Sequence, residues 1–94
     1  MVIERAELTI AEGKEAEFVA AMVRGVKLLS TARGGQDVTF GRSVENPSKF
    51  ILLINWESVE SHIDFTKTAE FASFRELAGP FFAGKPAMEH FQPL

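Results

Sequence analysis

The sequence contains no cysteine. A disulfide framework, a thiolate nucleophile and a cysteine-ligated metal or iron–sulfur site are therefore all excluded. A chain without disulfides suits a reducing compartment, so we expect the protein to be cytoplasmic.

The sequence also lacks a concentrated block of charge of one sign. Its 10 Lys and Arg and 13 Asp and Glu give a formal net charge of −3, and the basic residues are scattered along the chain. A protein that binds nucleic acid needs a basic surface facing the phosphate backbone. We therefore do not expect nucleic acid as a partner.

No apolar run in the chain is long enough to cross a bilayer. The run from Phe50 to Trp56 is far shorter than the roughly 20 residues that a membrane-spanning helix needs. The opening residues, MVIERAELTI, carry charges at Glu4, Arg5 and Glu7, where an export signal requires an apolar segment. We expect a soluble protein with no membrane partner and no export signal.

Apolar residues, in contrast, are abundant. They make up 46% of the 94 residues, and nine residues are Phe. A chain of this length buries only about 60% of its unfolded surface and cannot support two cores, so we expect residues 1–94 to form a single domain. The apolar content exceeds what one thin core hides, which favours self-association.

The first half of the chain has the pattern strand, helix, strand. From Val2 to Ile10, the residues alternate with a period of two, and one face is more apolar than the other. A stripe at helical spacing predicts a helix from about Lys14 to Ala32, which the adjacent glycines of RGGQD terminate. A second alternation, from Val38 to Val44, predicts the next strand.

The second half has the pattern strand, helix, strand. The segment from Phe50 to Trp56 is apolar on both faces except at Asn55, so it must be covered on both sides. Ser58 is a suitable N-cap for a helical region that is interrupted near Lys67 to Ala69 and ends before GPFFAGKP. The last predicted strand extends from Ala87 to Gln92.

This βαββαβ order predicts the ferredoxin-like α+β fold, in which both helices cover one face of an antiparallel sheet. The other face of such a sheet is bare. Because an exposed apolar sheet face favours aggregation, we expect two sheets to pair face to face in a twofold homodimer.

Two long segments, FGRSVENPSKFILLINWESVESHIDF and EFASFRELAGPFFAGKPAMEHF, resemble the antibiotic biosynthesis monooxygenase (ABM) domain of the dimeric α+β barrel superfamily. The resemblance is sharpest where the third strand ends at Trp56, in the helix with His62 that follows, and at Phe71 and Phe74. It implies a homodimeric barrel with a ligand cavity between the sheet and helices of each subunit. Members of the family include cofactor-independent oxygenases of phenolic or quinol compounds and haem-degrading oxygenases.

Oxygenation without a cofactor requires a base, a hydrogen-bond donor for the substrate anion and a site that excludes water. His62 is the candidate base, since it shares a helical stripe with Val59 and imidazole titrates near neutral pH. Alternatively, His62 is a structural residue bonded to backbone. Trp56 is a candidate cavity wall and N–H donor, or a large hydrophobic residue that closes the core. Asn55 points to the opposite face of a regular strand and is a poor candidate.

Other side chains are candidates for substrate binding. A set of phenylalanines lines an aromatic cavity or forms ordinary core: Phe65, Phe71, Phe74, Phe81 and Phe82. His90, on the last strand, faces either the cavity or the dimer interface. Arg42 is suited to a substrate carboxylate or phenolate, although we favour its pairing with Glu4 or Glu89 on a neighbouring strand.

Departures from the family restrict the function. Haem-degrading members have an Asn in the first strand, which this sequence lacks, and a haem-ligating His near the position of Phe65 and Thr66, so haem degradation is not expected. Many quinol-oxidising relatives also have a His near Phe65, so catalysis here depends on His62 or His90. The two histidines lack the spacing of a metal site, and we predict neither metal nor cofactor.

Three hypotheses remain. The first is a cofactor-independent monooxygenase of a small aromatic, phenolic or quinol substrate. The second is a non-catalytic or regulatory module that binds a small hydrophobic ligand in the same cavity. The third is an isomerase or lyase built on the same barrel. Fold similarity alone does not choose among them.

Overall fold

A computed structural model describes residues 1–94 as a four-stranded antiparallel sheet with helices packed on one face. The elements, in chain order, are β1 (Val2–Thr9), α1 (Glu15–Leu29), β2 (Gly35–Arg42), β3 (Lys49–Trp56), α2 (Val59–Phe65), α3 (Ala69–Ala78), a 3₁₀ turn (Gly79–Phe81) and β4 (Ala87–Phe91). The spatial strand order β2-β3-β1-β4, with every neighbouring pair antiparallel, is that of a ferredoxin-like sheet. The predicted fold class is confirmed.

The hydrophobic core lies between the sheet and the helices. Strand β3 shows how the sequence builds it, because alternate residues of this strand are buried: Phe50, Leu52, Ile54 and Trp56. Helix α1 covers this face with Phe18 and Met22, both fully buried. Asn55 lies on the opposite face, as predicted, where its Nδ2 donates to Oδ2 of Asp37 at 3.0 Å.

Two capping residues set the starts of the shorter helices. Ser58 accepts a hydrogen bond from the backbone N–H of Ser61 at the start of α2, and Thr68 accepts one from Phe71 at the start of α3. These bonds satisfy N–H groups that have no partner within the helix. The interruption between α2 and α3 was predicted from the sequence.

No helix combines the length and the apolar content that crossing a membrane would require.

Strand β2 begins earlier than predicted. It starts at Gly35 instead of Val38, and Val44 lies beyond its end with 91% of its surface exposed. A β-bulge follows Gln36, and Asp37 in this bulge has a φ of 56°. The bulge interrupts the alternation of side chains, so the hydrophobic pattern revealed only the second half of the strand.

The second face of the sheet has no helix over it. Ile3, Ile51 and Leu53 lie half-buried on this face, beside the charged pair of Glu7 and Lys49. Nζ of Lys49 lies 2.8 Å from Oε1 of Glu7. On this open face, polar side chains therefore pair with opposite charges, whereas the helix-facing side is mostly apolar core.

Candidate active site

A cavity of about 1240 Å³ lies between the helix-facing side of the sheet and the helices α2 and α3. Most of its lining is apolar. Seven of the residues predicted for the site line it: Trp56, His62, Phe65, Phe71, Phe74, Phe82 and His90. The cavity is large enough for a small aromatic ligand.

Arg42 lies outside this cavity. It is an exposed residue at the end of β2, the sheet edge opposite β4. Its Nε donates to the carbonyl oxygen of Pro47 at 2.7 Å, and its guanidinium lies 5.1 Å from the centroid of the Phe50 ring. The expected ion pair with Glu4 or Glu89 was wrong, because the strand order places β1 and β4 out of reach of the end of β2.

Phe81 also lies outside the cavity. Its ring packs against Phe18, with centroids 5.8 Å apart, in a separate aromatic cluster of the core. The next residue, Phe82, was predicted with it and does line the cavity. Phe81 ends a 3₁₀ turn, which does not have α-helical spacing. A helical pattern therefore does not predict which residues at this point face the cavity.

Glu4 is the candidate residue that the sequence analysis missed. It is only 7% exposed, and its Oε1 accepts a hydrogen bond from Nε1 of Trp56 at 2.9 Å. The same oxygen lies 3.4 Å from Nε2 of His62. A buried carboxylate is costly without such partners. The signal was present in the sequence, since the alternation of β1 places Glu4 on the same face as Ala6 and Leu8.

The two histidines meet at the cavity although they belong to distant elements. Nδ1 of His62 lies 2.8 Å from Nε2 of His90, within hydrogen-bonding distance. The register of β1 and β4 places His90 directly opposite Glu4, and α2 places His62 over the same point. Glu4, His62 and His90 therefore form a continuous series of polar contacts at the edge of an apolar cavity.

Trp56 holds this series in place from the β3 side. Its indole ring stacks on the His62 imidazole with centroids 4.8 Å apart and an interplanar angle of 15°. Gly35 makes room for the indole, because a Cβ at that position would lie 2.8 Å from the Trp56 ring. The ring of Phe65 also packs against the indole, with centroids 5.8 Å apart. Trp56 thus combines a cavity wall with a hydrogen bond to Glu4.

The environment of His62 favours its neutral form. Burial lowers the pKa of the imidazole below its ordinary value of 6.5, the Glu4 carboxylate opposes this shift, and the neighbouring His90 adds to it. His62 is 7% exposed, so its ring has little contact with water. At neutral pH, one nitrogen of His62 is therefore a donor and the other an acceptor.

The three polar residues do not converge on one point. Opposite ring nitrogens of His62 face Glu4 and His90, whereas the ligands of a metal each direct one atom at the same ion. No group of three or more His, Asp or Glu side chains is arranged to hold a metal ion. The arrangement is instead suited to moving a proton along a line of donors and acceptors.

The profile of the antibiotic biosynthesis monooxygenase family matches residues 1–77. The chain belongs to this family. The matched residues of this ABM domain include Glu4 and His62, whereas His90 lies beyond them.

Relatives of this ABM domain are similar over their whole length. The uncharacterized protein YczJ of Bacillus subtilis (strain 168) is 33% identical over 93 residues, which cover 98% of each chain. The crystal structure of a candidate antibiotic biosynthesis monooxygenase from Bordetella bronchiseptica is 35% identical, with a TM-score of 0.92 over 99% of this chain and 96% of that one. A candidate ABM protein from Nitrosomonas europaea, at 15% identity and a TM-score of 0.87 over 100% and 99% of the two chains, shares the fold.

Proposed function

We propose that the protein is a cofactor-independent monooxygenase that acts on a small aromatic, phenolic or quinol substrate bound between the sheet and the helices. The main support is the series Glu4–His62–His90, in which a buried carboxylate connects through two imidazoles to an apolar cavity. Such an arrangement supplies an imidazole base beside a largely apolar lining.

The reaction begins with loss of a proton from a phenol O–H or an activated C–H of the substrate to the histidine pair. The resulting anion supplies the electrons that reduce O2. For an activated CH2 group, one oxygen atom becomes the carbonyl of the product, and the other leaves as water with the two hydrogens. The protein has to bind the substrate, accept the proton and exclude water.

The remaining cavity residues support the binding of a flat aromatic molecule. Phe65 and Phe71 lie edge to face with ring centroids 5.7 Å apart, and Phe74 follows 6.2 Å from Phe71. These rings and Trp56 provide apolar surfaces against which an aromatic ring packs favourably. The same surfaces limit the access of water to the substrate anion.

The homodimer belongs to the same proposal. Ile3, Ile51, Leu53 and Phe91 lie on the sheet face that no helix covers, and Phe91 is 39% exposed. A twofold pairing of two such faces buries these side chains and leaves the cavity on the outer, helix-facing side of each sheet. Light scattering at micromolar concentration is expected to give the mass of a dimer, and a monomer would contradict this part of the proposal.

Oxygen consumption with a panel of phenols and quinols tests the activity. We expect uptake by the unmodified protein, with or without a chelator, and a fall of about 10²-fold or more when His62→Ala and His90→Ala are combined, because general base catalysis contributes at least that much. Asp64→Asn is the control, since Asp64 is exposed on the same helix and does not line the cavity. Unchanged uptake in the combined variant would contradict a role for the histidine pair.

The same panel separates the alternative functions. Binding of a panel compound with no oxygen consumption would indicate a ligand-binding module. Conversion of a compound under anaerobic conditions would indicate an isomerase or lyase. Loss of oxygen uptake on addition of the chelator would show that a metal is needed and would contradict the cofactor-independent mechanism.

A further inference from the structure

We propose that His90 accepts the proton of a phenolic substrate, and that His62 and Glu4 are positioning residues that orient His90 and stabilise its positive charge. This inference rests on the proposed function, since it assigns the proton-transfer step of that reaction. It reverses the roles expected from the sequence, in which His62 was the candidate base and His90 a secondary residue.

The pattern of donors and acceptors leads to this assignment. Nε2 of His62 faces the Glu4 carboxylate, which also accepts the Trp56 N–H, so this nitrogen carries the hydrogen; a lone pair there would repel the carboxylate. Because His62 is neutral at pH 7, its Nδ1 is then an acceptor. The only group facing that nitrogen is Nε2 of His90, which must therefore donate.

One ring nitrogen remains free at the end of this series. With its hydrogen on Nε2, the uncharged form of His90 has a lone pair on Nδ1, and no protein group forms a hydrogen bond to that atom. Both nitrogens of His62, in contrast, face protein groups. His90 is half-buried and lines the cavity, so it is the imidazole whose free nitrogen is available to a ligand.

Proton transfer from a phenol then proceeds in one balanced step. The O–H bond of the phenol breaks, its proton forms a bond to Nδ1 of His90, and the electron pair stays on the oxygen as a phenolate. The imidazolium of His90 lies between the phenolate and the His62 acceptor, and Glu4 supplies the negative charge at the far end of the series. This alternation of charges favours the ion pair in a cavity of low polarity.

Several other groups influence the charge on His90. Glu4 on β1 is the cross-strand neighbour of His90, and His62 on α2 lies within hydrogen-bonding distance of it. The remaining titratable groups that line the cavity are Arg75 and Glu76 on α3 and Lys85 just before β4. None of these three forms an ion pair with another residue. The two cations favour the same bound phenolate, whereas Glu76 opposes it.

The ionisation of a bound chromophoric phenol provides a direct test. The probe is 4-nitrophenol, whose phenolate absorbs in the visible range, added under anaerobic conditions at a pH where the free probe is mostly neutral. We expect the unmodified protein to convert the bound probe to its phenolate. Absence of a phenolate band up to the solubility limit of the probe would overturn the proposal.

The variants distinguish the two histidines. His90→Gln is expected to remove the phenolate band, and His62→Gln and Glu4→Gln to lower the ratio of phenolate to phenol about tenfold and to raise the pH at which the band appears. Glu89→Gln is the matched control, because Glu89 precedes His90 on β4 but faces the other side of the sheet, opposite Arg5. A band that persists in His90→Gln and vanishes in His62→Gln would overturn the assignment.

This test does not depend on turnover. If the unmodified protein forms the phenolate but consumes no oxygen with any compound of the panel, the monooxygenase proposal fails while the assignment of His90 stands. If oxygen uptake occurs and His90→Gln retains both the uptake and the phenolate band, the assignment fails while the proposed function stands.

Discussion

Glu4 and Glu7 lie three residues apart on β1 and face opposite sides of the sheet. Glu7 is at the surface, where its carboxylate lies 2.8 Å from Lys49 and 3.5 Å from Arg5. Glu4 is buried, and its partners are the indole N–H of Trp56 and the imidazole of His62. One glutamate has two cations from the sheet itself, whereas the other has neutral donors from β3 and α2.

The two glutamates therefore contribute to stability in different ways. Within the single subunit, the ion pairs of Glu7 join side chains that stay partly exposed, so they contribute little to its stability. Glu4 has exchanged water for a few fixed donors, so the loss of any partner leaves a buried polar group unsatisfied. A carboxylate in such a position is available to stabilise positive charge on the histidines beside it.

Replacing each glutamate with alanine should give the largest difference in stability between the two faces of the sheet. We expect Glu4→Ala to lower the free energy of unfolding by about 3 kcal/mol, because Trp56 and His62 lose their acceptor inside the protein. Glu7→Ala should change it much less, since the side chains of Arg5 and Lys49 stay partly exposed in the subunit and keep their contact with water. Urea denaturation measures both, and equal effects would show that the two faces do not differ in this way.

Gly35 and Gly41 allow the closeness of packing on the two faces of the sheet to be compared. Gly35→Ala places a Cβ 2.8 Å from the Trp56 ring, so we expect a loss of about 2 kcal/mol and a change in fluorescence, which comes from the only tryptophan in the chain. Gly41 lies on the open face, where an added Cβ would meet Ile51 at an ordinary 3.4 Å. Gly41→Ala should leave the fluorescence unchanged. An unaltered spectrum in Gly35→Ala would contradict the close packing of Trp56.

The smallest expected effect is that His62 and Glu7, on opposite faces of the sheet, change the stability of the fold in different pH ranges. The pKa of His62 is lowered on folding, so the unfolded chain binds more protons below about pH 6.5, and stability falls as the pH decreases through that region until folded His62 is itself protonated. Hydrogen bonding and attraction to Lys49 lower the pKa of Glu7, so its contribution, present above its ordinary value of 4.5, is lost only at lower pH.

Variants assign each pH region to its residue. His62→Gln should flatten the stability curve in the region just below pH 6.5, and Glu7→Gln should flatten it only at more acidic pH. Chemical denaturation at a series of pH values measures both curves. A decline below pH 6.5 that persists in His62→Gln would assign the upper region to another group.

The positions of individual side chains in the site were predictable to different degrees. Strand alternation placed Trp56 on the helix-facing side and Asn55 on the other, because neighbouring residues of a regular strand point in opposite directions. The same rule placed Glu4 among apolar residues, and its meaning became clear only when its partners were known. Arg42 was misplaced as a site residue, since the alternation of a strand does not tell which edge of the sheet it occupies.

The sequence by itself determined the order of the elements, the N-cap of α2 and the apolar face of β3. These features depend on residues close together in the chain, whose spacing and hydrogen-bonding groups act over one or two helical turns or a few strand positions. The tertiary structure alone decided that His62 meets His90 and that both meet Glu4. Such contacts join three elements distant in sequence, and their geometry depends on strand register and helix packing, which no local pattern encodes.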